Sequence, residues 1–192
     1  MSEGTSQLLV SGVFAGLEPV AETTPLFEIE TDTNGVLGSR FYGEKRYSKS
    51  KNCIRDNERM WSAVMGKEVR KMIENWNKLL KQAGSQARIR ELRPGWLGPN
   101  VCFEGTLDGF SLLPVGTELH FSRGPVFVVE EENAPCMTAA TLIASKQGDQ
   151  DVLPPKFVEA ALHLRGLVGS IKQGGLIRTG DLCEIVYRST QP

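Results

Sequence analysis

Apolar residues fall along this chain mostly in short, strand-length runs. Gln7–Phe14 carries Leu8, Leu9, Val10 and Val13 and predicts a first strand. A short strand is expected at Leu26–Ile29, followed by the turn signal Thr33-Asn34-Gly35. Arg46–Ile54 is polar but compatible with a strand. Ala87–Leu92, Asn100–Glu104, Thr117–Phe121 and Pro125–Glu130 are short and rich in Val, Phe, Leu and Ile, and each predicts a strand. Ser122-Arg123-Gly124 joins the last two as a hairpin. Leu182–Tyr187 is a final strand, entered through the turn Arg178-Thr179-Gly180-Asp181.

Two segments carry the helical period instead. Asp56 to Gln82 places Met60, Trp61, Val64, Met65, Val69, Met72, Ile73, Trp76, Leu79 and Leu80 on one stripe. Asp56 suits an N-cap, Gly84 suits a stop, and Gly66 marks a weak point or bend inside. Packing on the core is the plainer use of that stripe; pairing with a second subunit as a homodimer is the other. Pro154–Arg165 is a second, shorter helix opened by Pro155. Ser145–Val152 is polar and expected to be a loop. No internal repeat or low-complexity tract is present. Many short strands with glycine turns and two helices define an α+β, mainly β class built on a barrel.

With 192 residues the chain suits a single domain with a substantial core. Its net charge of −1 argues against a general nucleic-acid binder, and no apolar run approaches the roughly 20 residues that span a bilayer. Met1-Ser2-Glu3-Gly4-Thr5 lacks the basic start of a secretory signal, so a cytoplasmic, reducing location is expected.

The four cysteines form no Cys-x-x-Cys pair and have no histidine at zinc-finger spacing. Cys53, Cys102 and Cys183 lie in apolar settings and read as small core residues. Cys136 differs. It follows Pro135 in Glu132-Asn133-Ala134-Pro135-Cys136-Met137-Thr138, where a strand gives way to a turn. That is a mount for a soft metal or for a transferable sulfur atom, against the plainer reading of a buried thiol. Lys45, Arg46, Lys49 and Lys51 form a basic run whose plainer role is a solvated strand edge. His120 and His163 have no acidic partner at a fixed spacing, and no P-loop, dinucleotide or Gly-x-Ser-x-Gly fingerprint is present.

Three signatures resemble the MOSC domain, named after the C-terminal part of molybdenum cofactor sulfurases. Gly38-Ser39-Arg40-Phe41 resembles the family's Gly-Asp-Arg-aromatic motif. Gly98-Pro99-Asn100-Val101 with Glu104-Gly105 resembles its Gly-Glu-Asn-Leu…Glu-Gly motif. Pro135-Cys136, Arg165-Gly166-Leu167-Val168-Gly169 and Gly175-Leu176-Ile177-Arg178-Thr179-Gly180-Asp181 resemble its single cysteine and closing glycine-rich hairpin. The resemblance runs from about Ser11 to Tyr187 and is weakest around the long helix. Ser39 replaces the usual Asp, and Pro99 replaces a frequent Glu. Pro99-Asn100 is closer to the Arg-Pro-Asn of amidoxime-reducing members, with Gly98 in place of that Arg.

The resemblance implies one domain over 1–192, with a core of about 11–187 including the helix at 56–82. It implies a MOSC-type, pyruvate-kinase-like β-barrel and a molybdenum cofactor (molybdopterin) site. Cys136 is then the metal ligand or catalytic thiol, with Arg40 and Asn100 holding the cofactor and Arg93 a further candidate for the pocket. Three functions are open. One is an oxidoreductase acting on N-hydroxylated compounds and served by an electron-donor redox protein. A second is a sulfur carrier with a persulfide on Cys136, loaded by a pyridoxal-phosphate-dependent cysteine desulfurase. A third is a non-catalytic binding barrel.

Overall fold

Alternation in the first strand buries Leu8 and Val10 and exposes Gln7, Leu9 and Ser11, and an irregularity between Val10 and Gly12 shifts the phase so that Val13 is buried too. A computed structural model describes residues 6–16, 22–48, 52–148 and 152–187. Its strands are β1 (Gln7–Ala15), β2 (Thr24–Leu26), β3 (Glu28–Asp32), β4 (Gly35–Val36), β5 (Lys45–Ser48), β6 (Cys53–Asp56), β7 (Trp61–Met65), β8 (Val101–Glu104), β9 (Glu118–Phe121), β10 (Val126–Glu132), β11 (Leu167–Gln173), β12 (Gly175–Arg178) and β13 (Leu182–Val186). The helices are α1 (Gly66–Gln82), α2 (Met137–Gln147) and α3 (Pro154–Ala160).

The main sheet runs β13-β9-β10-β11-β7-β8-β1, and β1 pairs back onto β13, so the sheet closes into a barrel. The closing seam is antiparallel, with Leu8 opposite Cys183. Strand β2 hangs on the far end of β1, β12-β3-β4 form a small second sheet, and β5-β6 form a separate hairpin. Strands β7 and β8 are parallel and are joined through α1 as a βαβ unit. The α+β, mainly β barrel expected from the sequence is the fold observed.

Two apolar clusters fill the structure. The barrel interior holds Trp61, Phe103, Phe110, Phe121 and Phe127, whose rings touch in a continuous series at centroid distances of 4.9–5.9 Å. Each such side chain contributes about 1.5–3 kcal/mol by burial. Outside the barrel, Val69, Met72, Trp76 and Leu80 of α1 pack with Ala139, Ala140 and Ile143 of α2 and with Phe157 and Ala160 of α3. The apolar stripe of α1 is thus covered within the chain.

The helix expected from Asp56 begins at Gly66, because Trp61–Met65 is strand β7. Trp61, Ala63 and Met65 face the barrel interior while Val64 packs under the outer helices. A strand buried on both faces reads as an unbroken apolar run and mimics a helix stripe. Gly66 is no bend: a Cβ there would meet Glu104 Oε1 at 1.9 Å. The strand expected at Ala87–Leu92 joins no sheet. Asn77 holds it instead, donating to the Ile89 carbonyl at 2.9 Å and accepting from its N–H at 2.8 Å. The helix expected over Pro154–Arg165 stops at Ala160, before a turn that places His163 at φ 60°. Helix α2 was not expected, and it takes in the start of the loop expected at Ser145–Val152; residues 149–151 lie outside the described residues, as do Lys49 and Lys51. Cys102 and Cys183 are buried as expected, but Cys53 is exposed on β6.

Candidate functional site: a thiol in an arginine-lined cavity

Strand β10 ends at Glu132, and Pro135, which lacks an N–H, follows three residues later. Cys136 takes extended angles (φ −140°, ψ 159°), and its carbonyl accepts the Ala140 N–H at 3.1 Å, so it is the N-cap residue of α2. Among the described residues no side chain caps this helix. An exposed thiol therefore sits at the positive end of a helix dipole.

The thiol opens on a cavity of about 390 Å³ lined by Arg40, Phe41, Arg59 and Ser62 from one half of the chain. Leu97, Gly98, Asn133, Ala134, Thr138, Arg165 and Val168 complete the wall. Three guanidinium groups thus share the space with one sulfur. Cys136 is coupled electrostatically to all three, favouring their charged forms. A second hollow of about 600 Å³ beside α1 is larger but holds no thiol, and its rim ions are matched as Lys67–Asp108 and Lys71–Glu74.

Each arginine is placed by local backbone. Arg40 follows the bridge between Ser39 and Gly16, donates its N–H to the Gly16 carbonyl at 3.0 Å, and lies 4.6 Å from the Phe41 ring centroid. Burial lowers its pKa, and the field of Cys136 opposes this. Asn57 ties the two arms of the site together. It donates to the carbonyls of Phe41 (2.6 Å) and Gly43 (2.8 Å) and accepts the Arg59 N–H at 3.1 Å. Arg59 donates to Asn133 Oδ1 at 2.6 Å and meets the Glu131 carboxylate at 3.4 Å. Arg165 is almost fully buried. It donates from Nη1 to the same Asn133 Oδ1 at 2.8 Å and from Nη2 to the Leu97 carbonyl at 3.1 Å. Its buried Nε has no hydrogen-bond partner among the described residues, and burial lowers its pKa to about 10.

Cys136 and Arg40 are thus brought together, as the sequence suggested. Asn100 is not on the cavity wall. Its carboxamide accepts the Ser62 N–H at 3.0 Å and donates to the Phe14 carbonyl at 3.3 Å, bracing the wall from behind. Arg93 points elsewhere, pairing with Glu91 and stacking on Trp96. Ser39 is buried, and its hydroxyl accepts the Phe41 N–H at 3.5 Å. Gly98, at φ 72°, presents its carbonyl to the Ser62 hydroxyl at 3.1 Å. His120 and His163 do have acidic partners, Glu118 and Glu132, each at 2.9 Å and neither in the cavity. No motif marks Arg59 or Asn133 in the sequence, and Arg165 is visible there only within Arg165-Gly166-Leu167-Val168-Gly169.

Among the described residues, no group of three or more His, Cys, Asp or Glu side chains is arranged to hold a metal ion. Any metal here would meet one protein thiolate and would bring its remaining ligands with it. The donor set is soft sulfur plus fixed cationic forks, which suits an anionic, metal-bearing or sulfur-bearing ligand. No helix among the described residues is long and apolar enough to cross a membrane.

A closed barrel with one thiol in a guanidinium-lined cavity defines the class. The model of the MOSC domain matches residues 68–184, more than half of the chain, and the chain belongs to that family. The match leaves out β1 and β7, which nonetheless complete the barrel. YuaD of Bacillus subtilis (strain 168), named for metal-sulfur cluster biosynthesis, is 29% identical over 171 residues, covering 85% of this chain and 82% of that one. Its crystal structure superposes with a TM-score of 0.85 at 24% identity, covering 96% and 98% of the two chains. YiiM from Geobacillus stearothermophilus shares the fold at a TM-score of 0.60 and 14% identity, covering 95% of this chain and 77% of that one.

Proposed function

We propose that this protein binds the molybdenum cofactor and reduces N-hydroxylated compounds with it. The observation that carries the reading is the cavity itself: one exposed thiol and three guanidinium groups around a space of about 390 Å³, within the range of small-ligand sites. Cys136 would be the protein ligand to the metal. Arg40, Arg59 and Arg165 would hold the anionic parts of the cofactor. When bound, the cofactor supplies two-electron redox chemistry. The chain's own contribution is to fix the sulfur at the start of α2, keep positive charge in a half-enclosed space, and orient the wall through Asn100 and Asn57. The reductase assignment leans on Pro99-Asn100, which resembles the amidoxime-reducing members. The net reaction would take two electrons and two protons and release water, so a separate redox protein would serve as donor.

Elemental analysis tests the reading. Protein made in a host that synthesises the cofactor should carry near-stoichiometric molybdenum, and Cys136→Ser should lose it. Metal-free wild-type protein from such a host overturns the proposal.

A second reading is favoured by the exposure of Cys136 at a helix N-terminus and by the name of YuaD. Cys136 would accept sulfane sulfur from a desulfurase persulfide, releasing the desulfurase thiolate, and pass it on. Cyanolysable sulfur on wild-type protein, absent from Cys136→Ser and accompanied by no metal, would select this reading.

A further inference from the structure

We infer that Glu68, acting through Ser111, is a positioning residue that sets the corner carrying Arg165. The inference rests on the reading of the cavity as an anion-binding thiol site. Glu68 lies in the first turn of α1, is almost fully buried, and does not touch the cavity. Its Oε1 accepts the Ser111 N–H at 3.0 Å, and its Oε2 accepts the Ser111 hydroxyl at 2.6 Å. That hydroxyl in turn accepts the Gly166 N–H at 2.7 Å. Gly166 immediately follows Arg165.

The corner leaves little alternative to this arrangement. Gly166 sits at φ 89°, and a Cβ there would meet the Ala63 carbonyl oxygen at 1.8 Å, so the backbone is pressed onto β7. Its carbonyl accepts the Asn133 N–H at 2.9 Å, and Asn133 also holds the Arg165 guanidinium. Both backbone groups of Gly166 are therefore gripped, one by Asn133 and one by Ser111. The Ser111 hydroxyl has a single proton. To accept from Gly166 it must send that proton to an acceptor, and Glu68 Oε2 is that acceptor.

A carboxylate is the group this pattern needs. It accepts at both oxygens, whereas an amide has one acceptor and one donor end. With Gln at 68, the Ser111 N–H would claim the amide oxygen, and the amide nitrogen would face the hydroxyl. Ser111 would then receive protons from two sides and lose the acceptor for its own. Among the described residues Glu68 hydrogen-bonds to Ser111 and to no cation, and a buried carboxylate so placed is also a poor choice for packing alone. Its nearby charged neighbour is Glu132, of the same sign.

The test uses the full chain, sulfate as the anion and iodoacetamide as the thiol probe, with labelling of each cysteine read by mass spectrometry. Sulfate should slow labelling of Cys136 in the wild type and leave exposed Cys53 unaffected. In Glu68→Gln and in Ser111→Ala the sulfate needed for half-protection should rise about tenfold. The double variant should be no worse than Ser111→Ala, because Glu68 acts only through Ser111. Buried Cys102 and Cys183 should stay unlabelled, which reports an intact fold. If Ser111→Ala fails to fold, Glu68→Gln alone decides. Wild-type sulfate dependence in Glu68→Gln, or additive losses in the pair, overturns the inference. A wild type that sulfate does not protect overturns the parent reading of the cavity instead.

Discussion

Arg59 and Arg165 converge on a single neutral acceptor. Asn133 Oδ1 takes a hydrogen bond from Arg59 at 2.6 Å and another from Arg165 at 2.8 Å. A carboxamide can orient two cations without cancelling their charge, which a carboxylate in the same place would do. The charge of Arg165 thus stays available to a ligand, while Arg59 shares its own with the Glu131 carboxylate.

Replacing Asn133 by Asp should therefore preserve the geometry and damage the site. The expected outcome is a loss of sulfate or phosphate affinity of about tenfold, on the scale of a charge-assisted hydrogen bond. Isothermal titration of both proteins with inorganic phosphate gives the comparison. Unchanged affinity would mean that Arg59 and Arg165 do not act on the anion.

Asn100→Ala should act on stability. Removing the carboxamide strips the Ser62 N–H and the Phe14 carbonyl of a buried partner, a cost of about 1–3 kcal/mol per stranded group. Urea unfolding reads this directly. If Asn100 instead contacted the ligand, affinity would fall with little change in the unfolding midpoint.

Native thiol labelling should modify Cys53 and Cys136 and spare Cys102 and Cys183. Burial pushes both buried thiols up in pKa, which further suppresses their reactive thiolate form. All four should react once the chain is unfolded in denaturant. A native Cys136 that resists iodoacetamide would remove the thiol from the site.

Glu68 also makes a prediction about pH. Burial raises its pKa above the ordinary 4.5, against the Ser111 hydrogen bonds that lower it, and the field of Glu132 adds to the rise. The folded state then holds this proton more tightly than the unfolded chain does. The associated stability is fully present below about pH 4.5 and is lost as the pH rises through the higher folded value. Glu68→Gln cannot titrate, so the stability of the wild type relative to this variant should fall with rising pH across that window. Urea midpoints taken as a pH series check the sign; a difference that grows with pH refutes it.

Much of the barrel was readable because its strands alternate or end in recognisable turns, as in Gln7–Ala15 and the β9–β10 hairpin. Cys136 and Arg40 were readable because each sits in a short motif. Arg59 was hidden within a segment taken for helix, since the neighbouring strand β7 buries both its faces. Asn133 resembles any polar loop residue until its two guanidinium partners, contributed by Arg59 and Arg165, are in place. Helix α2 escaped notice because only Ala139, Ala140 and Ile143 are buried along it, too few to draw a stripe. Asn100 was found for the right motif and given the wrong neighbours, because a sequence does not say which backbone groups a carboxamide will reach.

The seam between β1 and β13 has a consequence for synthesis. Arg40 and Arg59 leave the ribosome long before Cys136 and Arg165, yet the cylinder cannot shut until its last strand emerges. The cavity wall itself is incomplete until the chain has been made through Val168, because its residues run from Arg40 to Val168. A ligand that needs the whole wall would therefore find no site on a chain still short of that residue.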